Sequence, residues 1–139
     1  MLFYGFYKKS VYLCELILML MVKTKELVDT IVKGIQEKKG QKVVIVDMSE
    51  MQGAICQYFV ICQGNSPSQV DAITDSIEEF ARVHSGEKPL RIVGRERSLW
   101  VAMDYADVIV HIFVPEMRDY YHLENLWEDA KITEIPDLD

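Results

Sequence analysis

The chain has 139 residues, half of them apolar and 27% charged, which is enough for one domain whose core needs neither disulfide bridges nor a structural metal. Its formal net charge of -7 disfavours binding driven by a nucleic-acid backbone, which calls for clustered Lys and Arg, and leaves a basic protein, or a partner of no marked charge, as the better match. The three cysteines, Cys14, Cys56 and Cys62, are odd in number and form no C-x-x-C or zinc spacing, so they read as thiols of a reducing compartment.

The opening "MLFYGFYKKSVYLCELILML" carries a Lys pair and then an apolar run from Val11 to Val22, interrupted by Glu15. No small-x-small cleavage site follows and the run is too short to span a bilayer, so no membrane segment is expected. Residues 1–20 are expected to be an upstream extension, with Met21 the start of the domain at 21–139; a helix packed on the domain and a weak membrane contact are the alternatives. Thr24 is placed to cap a helix reaching about Lys39, with Leu27, Val28, Ile31, Val32 and Ile35 as its apolar stripe and Gly40 at its stop. "KVVIVDM" (Lys42 to Met48) is a continuous β-branched run, as a strand buried on both faces requires. "SEMQGA" is a turn, and "CQYFVICQ" a second buried strand.

The stretch "GNSPSQ" (Gly64 to Gln69) ends that strand and opens a helix. Ser66, three residues before Gln69, forms a capping box, and Pro67 suits the first helical position. Val70, Ile73, Ile77, Phe80 and Ala81 then share a face as far as Ser85-Gly86. A Gly-Ser turn at a helix N-terminus also suits phosphate, so a nucleotide-binding or nucleotidyltransferase-like enzyme is the competing reading. Such chemistry needs paired carboxylates for magnesium, yet Asp71 is the nearest acid, no D-x-D occurs, and no Gly-Lys-Ser/Thr follows. No catalytic residue, metal ligand or cofactor is therefore assigned.

"LRIVG" and "LWVAMDYADVIVHIFV" follow, joined by "RERS". The second is too long for one strand. It is expected to fold into a hairpin, Leu99 to Met103 and Val108 to Val114, turning at Asp104, Tyr105, Ala106 and Asp107. Pro115 ends the sheet. A helix from about Arg118 to Ala130 presents Tyr120, Leu123 and Trp127 on one side, and "ITEIPDLD" reads as an acidic tail. The expected fold is α/β, a mixed five-stranded sheet flanked by helices. His111, among apolar strand neighbours, is expected to be a core histidine bonded to a carbonyl or a carboxylate. Trp100 shares a strand face with Ala102 and Asp104. It either closes the core or anchors a protein contact at the hairpin tip. From Pro115 onward eight acids stand against Arg118 and Lys131, so most of the net charge lies at this end, suited to a basic partner.

Four stretches in order, "ELVDTIVKGIQEKKGQKVVIVDM", "YFVICQGNSPSQVDAI", "WVAMDYADVIVHIF" and "RDYYHLENLWEDA", resemble the ribosomal silencing factor S family, also called Iojap or YbeB. Two departures are Gln57, where the family has an acid, and Val93-Gly94, where it has Glu-Gly. The resemblance implies a domain similar to the nucleotidyltransferase fold without its catalytic acids. It implies a cytoplasmic translation repressor that binds the large ribosomal subunit through its fourteenth protein and blocks joining of the small subunit. A homodimer when free, and no direct DNA binding, go with it. Carried onto this chain, the partner-binding residues are Trp100, Asp104, Tyr105 and Asp107.

Overall fold

The computed structural model describes residues 2–51, 53, 56–121 and 130–138. In chain order the elements are α1 (Leu2–Glu37), β1 (Gln41–Asp47), β2 (Tyr58–Gln63), α2 (Pro67–Phe80) with one wider π-helical turn after it (Ala81–Ser85), β3 (Arg91–Val93), β4 (Trp100–Asp104), β5 (Val108–Phe113), α3 (Pro115–Tyr121) and β6 (Lys131–Ile135). The strands form one sheet in the order β3-β4-β5-β2-β1-β6. β2 and β5 run parallel, Tyr58 beside Val108 through Gln63 beside Phe113, because α2 carries the chain back across the sheet between them. The remaining pairs are antiparallel.

Strand alternation divides the sheet into two apolar faces. On one, Val43, Val60, Cys62, Val101, Met103, Val110 and Ile112 pack against Leu27, Ile31 and Ile35 of α1 and Val70, Ile73 and Ile77 of α2. Each of these buried aliphatic side chains contributes roughly 1.5–3 kcal/mol. The two helices are also stitched together polar to polar, since the Ser76 hydroxyl donates to the Gly34 carbonyl at 2.7 Å. On the other face Val44, Val46, Phe59, Ile61 and Phe113 form a second cluster, against which Trp100 and Met117 rest. Cys56 and Cys62 are buried free thiols whose pKa values burial pushes up to about 11 and about 12, as apolar core positions would do.

Three boundaries differ from the sequence expectation. α1 begins well before Thr24, which caps nothing: its hydroxyl donates to the Leu20 carbonyl within the helix. No Gly or Pro lies between Gly5 and Gly34, and the strong helix formers before Thr24 simply continue the spiral. Val11 to Val22 are exposed among the described residues, large apolar side chains included. Pro115 opens α3 rather than only ending the sheet, and α3 starts three residues before Arg118; the rest of the expected helix, with Leu123 and Trp127, lies outside the described residues. The acidic tail contains a sixth strand. Ile132, Thr133 and Ile135 are β-branched, and β6 pairs antiparallel with β1 from Asp47–Lys131 to Val43–Ile135.

Candidate partner-binding face

The hairpin of β4 and β5 sets the expected contact residues in register. Trp100 lies opposite Phe113, Ala102 opposite His111 and Asp104 opposite Ile109. Alternation buries Val101 and Met103 against the helices and turns Trp100, Ala102 and Asp104 to the other face, each half-buried. The connection is held by its own polar groups. Asp104 Oδ1 accepts from the Ala106 N–H at 2.8 Å, which supports the left-handed backbone of Ala106 (φ 71°). The Tyr105 N–H donates to the Val108 carbonyl and the Asp107 N–H to the Tyr105 carbonyl.

The four residues do not converge. Trp100 is at the far end of the hairpin from the turn, about 14 Å along the strand from Asp104. Asp104 shares its face. Asp107 is exposed at the corner, its Oδ2 3.5 Å from Thr24 Oγ1 of α1. Tyr105 belongs to the core: it is 6% exposed, packed with the α1–α2 cluster. Its hydroxyl finds no hydrogen-bond partner among the described residues, and burial raises its pKa. Tyr105 thus positions the turn from beneath instead of presenting a surface. The sequence reading missed Arg91 and Val93. The β3–β4 register puts Arg91 beside Asp104 and Val93 beside Ala102, so both extend the same face toward the sheet edge, with Val93 52% exposed.

His111 takes an unexpected partner. Its Nδ1 accepts from the Trp100 indole N–H at 3.1 Å, which fixes a neutral imidazole with the proton on Nε2. Phe59 meets its ring edge-on at 5.1 Å, and Trp100 stacks on Phe113 at 5.0 Å. Burial lowers the His111 pKa to about 4. The unfolded chain therefore takes up the proton first as pH falls, so the stabilisation is complete above about 6.5 and is lost between there and about 4. The loss is on the order of 3 kcal/mol. Urea unfolding across this window should show the parent losing stability relative to His111→Phe as the pH falls. Parallel pH curves for the two proteins would contradict the assignment.

The Gly64–Gln69 corner is a cap, as expected, with a longer reach. The Ser66 hydroxyl accepts from the Gln69 backbone N–H, and the Gln69 side-chain oxygen Oε1 accepts from the Asn65 N–H, one residue before the usual position. The Gln69 amide then donates to the carbonyls of Lys38 and Lys39, tying the start of α2 to the end of α1. These first amides serve the protein itself. Asp71, the acid closest to the turn, is held by Arg95 at 2.8 Å, together with Asp75 at 2.6 Å.

Residues 22–139 match the family described as "Ribosomal silencing factor during starvation". A ribosomal silencing factor of Halalkalibacterium halodurans is 37% identical over 114 residues, 82% of this chain and 96% of that protein. One from Bacillus subtilis is 35% identical over 99 residues, covering 71% and 82%. The crystal structure of a protein from Chromobacterium violaceum superposes with a TM-score of 0.69 at 29% identity, covering 74% of this chain and 84% of that one.

Proposed function

Because the chain belongs to the family of ribosomal silencing factors that act during starvation, we propose that it represses translation by occupying the large ribosomal subunit, through that subunit's fourteenth protein, where the small subunit would dock. The action is steric: affinity for one body excludes another, and no bond is made or broken. The observation that carries the reading is the face formed by Trp100, Ala102, Asp104 and Val93. A partly buried indole is already braced by His111 and Phe113, so little conformational freedom is lost when a partner covers its accessible edge. Val93, standing where the family has an acid, lengthens the apolar part of that face. Asp104 stands on that face and Asp107 is exposed at the adjoining corner, carboxylates suited to a basic ribosomal protein. Tyr105 supports the turn between them. The cytoplasm is the place such a partner implies, and pairing with a second copy is the proposed state of the free chain. A net charge of -7 argues against direct DNA binding.

Sedimentation through a sucrose gradient tests the proposal. The protein should travel with free large subunits, and large subunits loaded with it should fail to join added small subunits. A protein that stays at the top of the gradient, or follows the small subunit, would refute it. Reversing both carboxylates, Asp104→Lys with Asp107→Lys, is expected to weaken co-sedimentation about tenfold at low salt, with a smaller difference at high salt. Equal binding by the doubly reversed protein would place the contact elsewhere.

A further inference from the structure

Among the described residues, most of the exposed large apolar side chains lie on the first part of α1. Every residue from Val11 to Val22 is exposed, and Glu15 is the only charge between Lys9 and Lys23. This arm precedes the part of the chain that matches the silencing-factor family, save for its last residue. It is apolar on all sides. The helical period puts Leu13, Ile17 and Leu20 in line with Leu27, Ile31 and Ile35, which face the sheet; it puts Val11, Leu18 and Val22 on the side turned away from the body. Leu18 is 61% and Val22 58% exposed. A helix apolar all round is ordinarily surrounded by apolar material, and here the protein supplies none. Lysines bracket the run. Lys8, Lys9, Lys23 and Lys25 against Glu15 give residues 1–25 a net charge of +3, so with -7 for the whole chain the remainder carries -10.

We propose that Val11 to Val22 dock on a lipid surface bearing anionic headgroups, lying along it without crossing it. The run is about 18 Å long, well short of a hydrocarbon core of about 30 Å, and an apolar segment of this length suits the interface. End-on entry would drag Lys8 and Lys9 into hydrocarbon. Lying flat, the arm keeps lysines about 21 Å apart at both of its ends level with the headgroups, their stems along the apolar boundary. Anionic lipid attracts the +3 arm and repels the acidic remainder, so the body is held off the surface while the Val11, Leu18 and Val22 side enters. A second copy fits less well. Two arms side by side would cover one stripe of each and leave the opposite stripe in water. Antiparallel pairing would set lysines against lysines, and parallel pairing would bring two acidic bodies together. The arm uses no part of the Trp100 face.

The test is flotation of the full chain, without ribosomes, on density gradients with two kinds of vesicle. One is phosphatidylcholine with a third of phosphatidylglycerol, the other phosphatidylcholine alone. Most of the protein is expected to rise with the anionic vesicles, with binding to the others about tenfold weaker and the gap narrowing at high salt. Aggregated protein sinks, so it is not mistaken for bound protein. Leu18→Glu with Val22→Glu should abolish flotation at unchanged Tm, because both side chains are already exposed. Lys23→Glu with Lys25→Glu should remove the preference for anionic vesicles. Light scattering without vesicles compares the mass of the parent with that of the Leu18 and Val22 double variant. The proposal falls if the parent does not float, if it floats equally with both vesicles, or if the double variant floats as well as the parent. It also falls if the double variant loses Tm, which would show that the arm packs on the domain, or if its mass is half the parent's, which would make the arm a seam between copies.

Discussion

Trp100→Ala is expected to lose most of the affinity for large ribosomal subunits, about thirtyfold or more, and about 2–4 kcal/mol of stability with it. The stability loss has two sources. Removing the indole uncovers Phe113, on which it stacks at 5.0 Å, and leaves His111 Nδ1 buried without its donor. Typical domain stabilities of about 5–15 kcal/mol leave the variant folded in most of that range. Trp100→Phe separates the two effects. It keeps an aromatic ring on Phe113 and deletes only the N–H, so it should fall about 1 kcal/mol in stability and retain much of the binding. Gradient co-sedimentation and urea unfolding, run on both variants, decide the matter. If Trp100→Ala is destabilised yet follows large subunits as well as the parent does, the indole is a core residue and the proposed anchor is wrong.

Gly94→Ala should be the most damaging single methyl group in the molecule, costing about 4 kcal/mol or more. Gly94 has φ 92°, and an added Cβ would stand 2.1 Å from the Trp100 carbonyl oxygen, a backbone atom that cannot rotate away. The turn is committed to this shape by the Ser98 N–H, which donates to the Gly94 carbonyl, and by the Ser98 hydroxyl, which donates to the Arg95 carbonyl. Relief would have to come from separating β3 and β4 just where Trp100 starts its strand, so the indole should move as well. Gly86→Ala is the matched comparison. It also has positive φ, at 64°, but nothing lies within 4 Å of its added carbon, so about 1 kcal/mol is expected. Thermal unfolding of the pair would show a large gap in Tm. Equal small losses would mean that the β3–β4 turn opens freely.

What could be read from residues alone was local. The Ser66 cap, the Gly86 stop, the alternation of Leu99 to Met103 and the hairpin turn each depend on neighbours within four residues, and each is present. What needed distant partners was not legible. Gln69 reaches Lys38, 31 residues away, and Trp100 reaches His111 across a hairpin register that residue types alone do not fix. Tyr105 sits in a polar-looking turn, yet its ring turns inward because the cluster of α1 and α2 lies beneath. β6 was hidden by its acids: Glu134 and Asp137 point a composition-based reading toward a tail, whereas pairing with β1 needs only the backbone and the β-branched Ile132, Thr133 and Ile135. At the other end, the apolar residues before Thr24 suggested an extension without giving its shape.

The pairing of β6 with β1 has a consequence for how the molecule is made. One of the first strands to leave a translating ribosome must wait for the last one. Until Lys131 to Ile135 emerge, the outer border of β1 has its amides and carbonyls free beside Val43, Val44 and Val46, and a nascent chain in that condition is sticky. Completion of this border therefore waits for β6, and a chain interrupted just short of Lys131 would carry a nearly finished sheet with an adhesive seam.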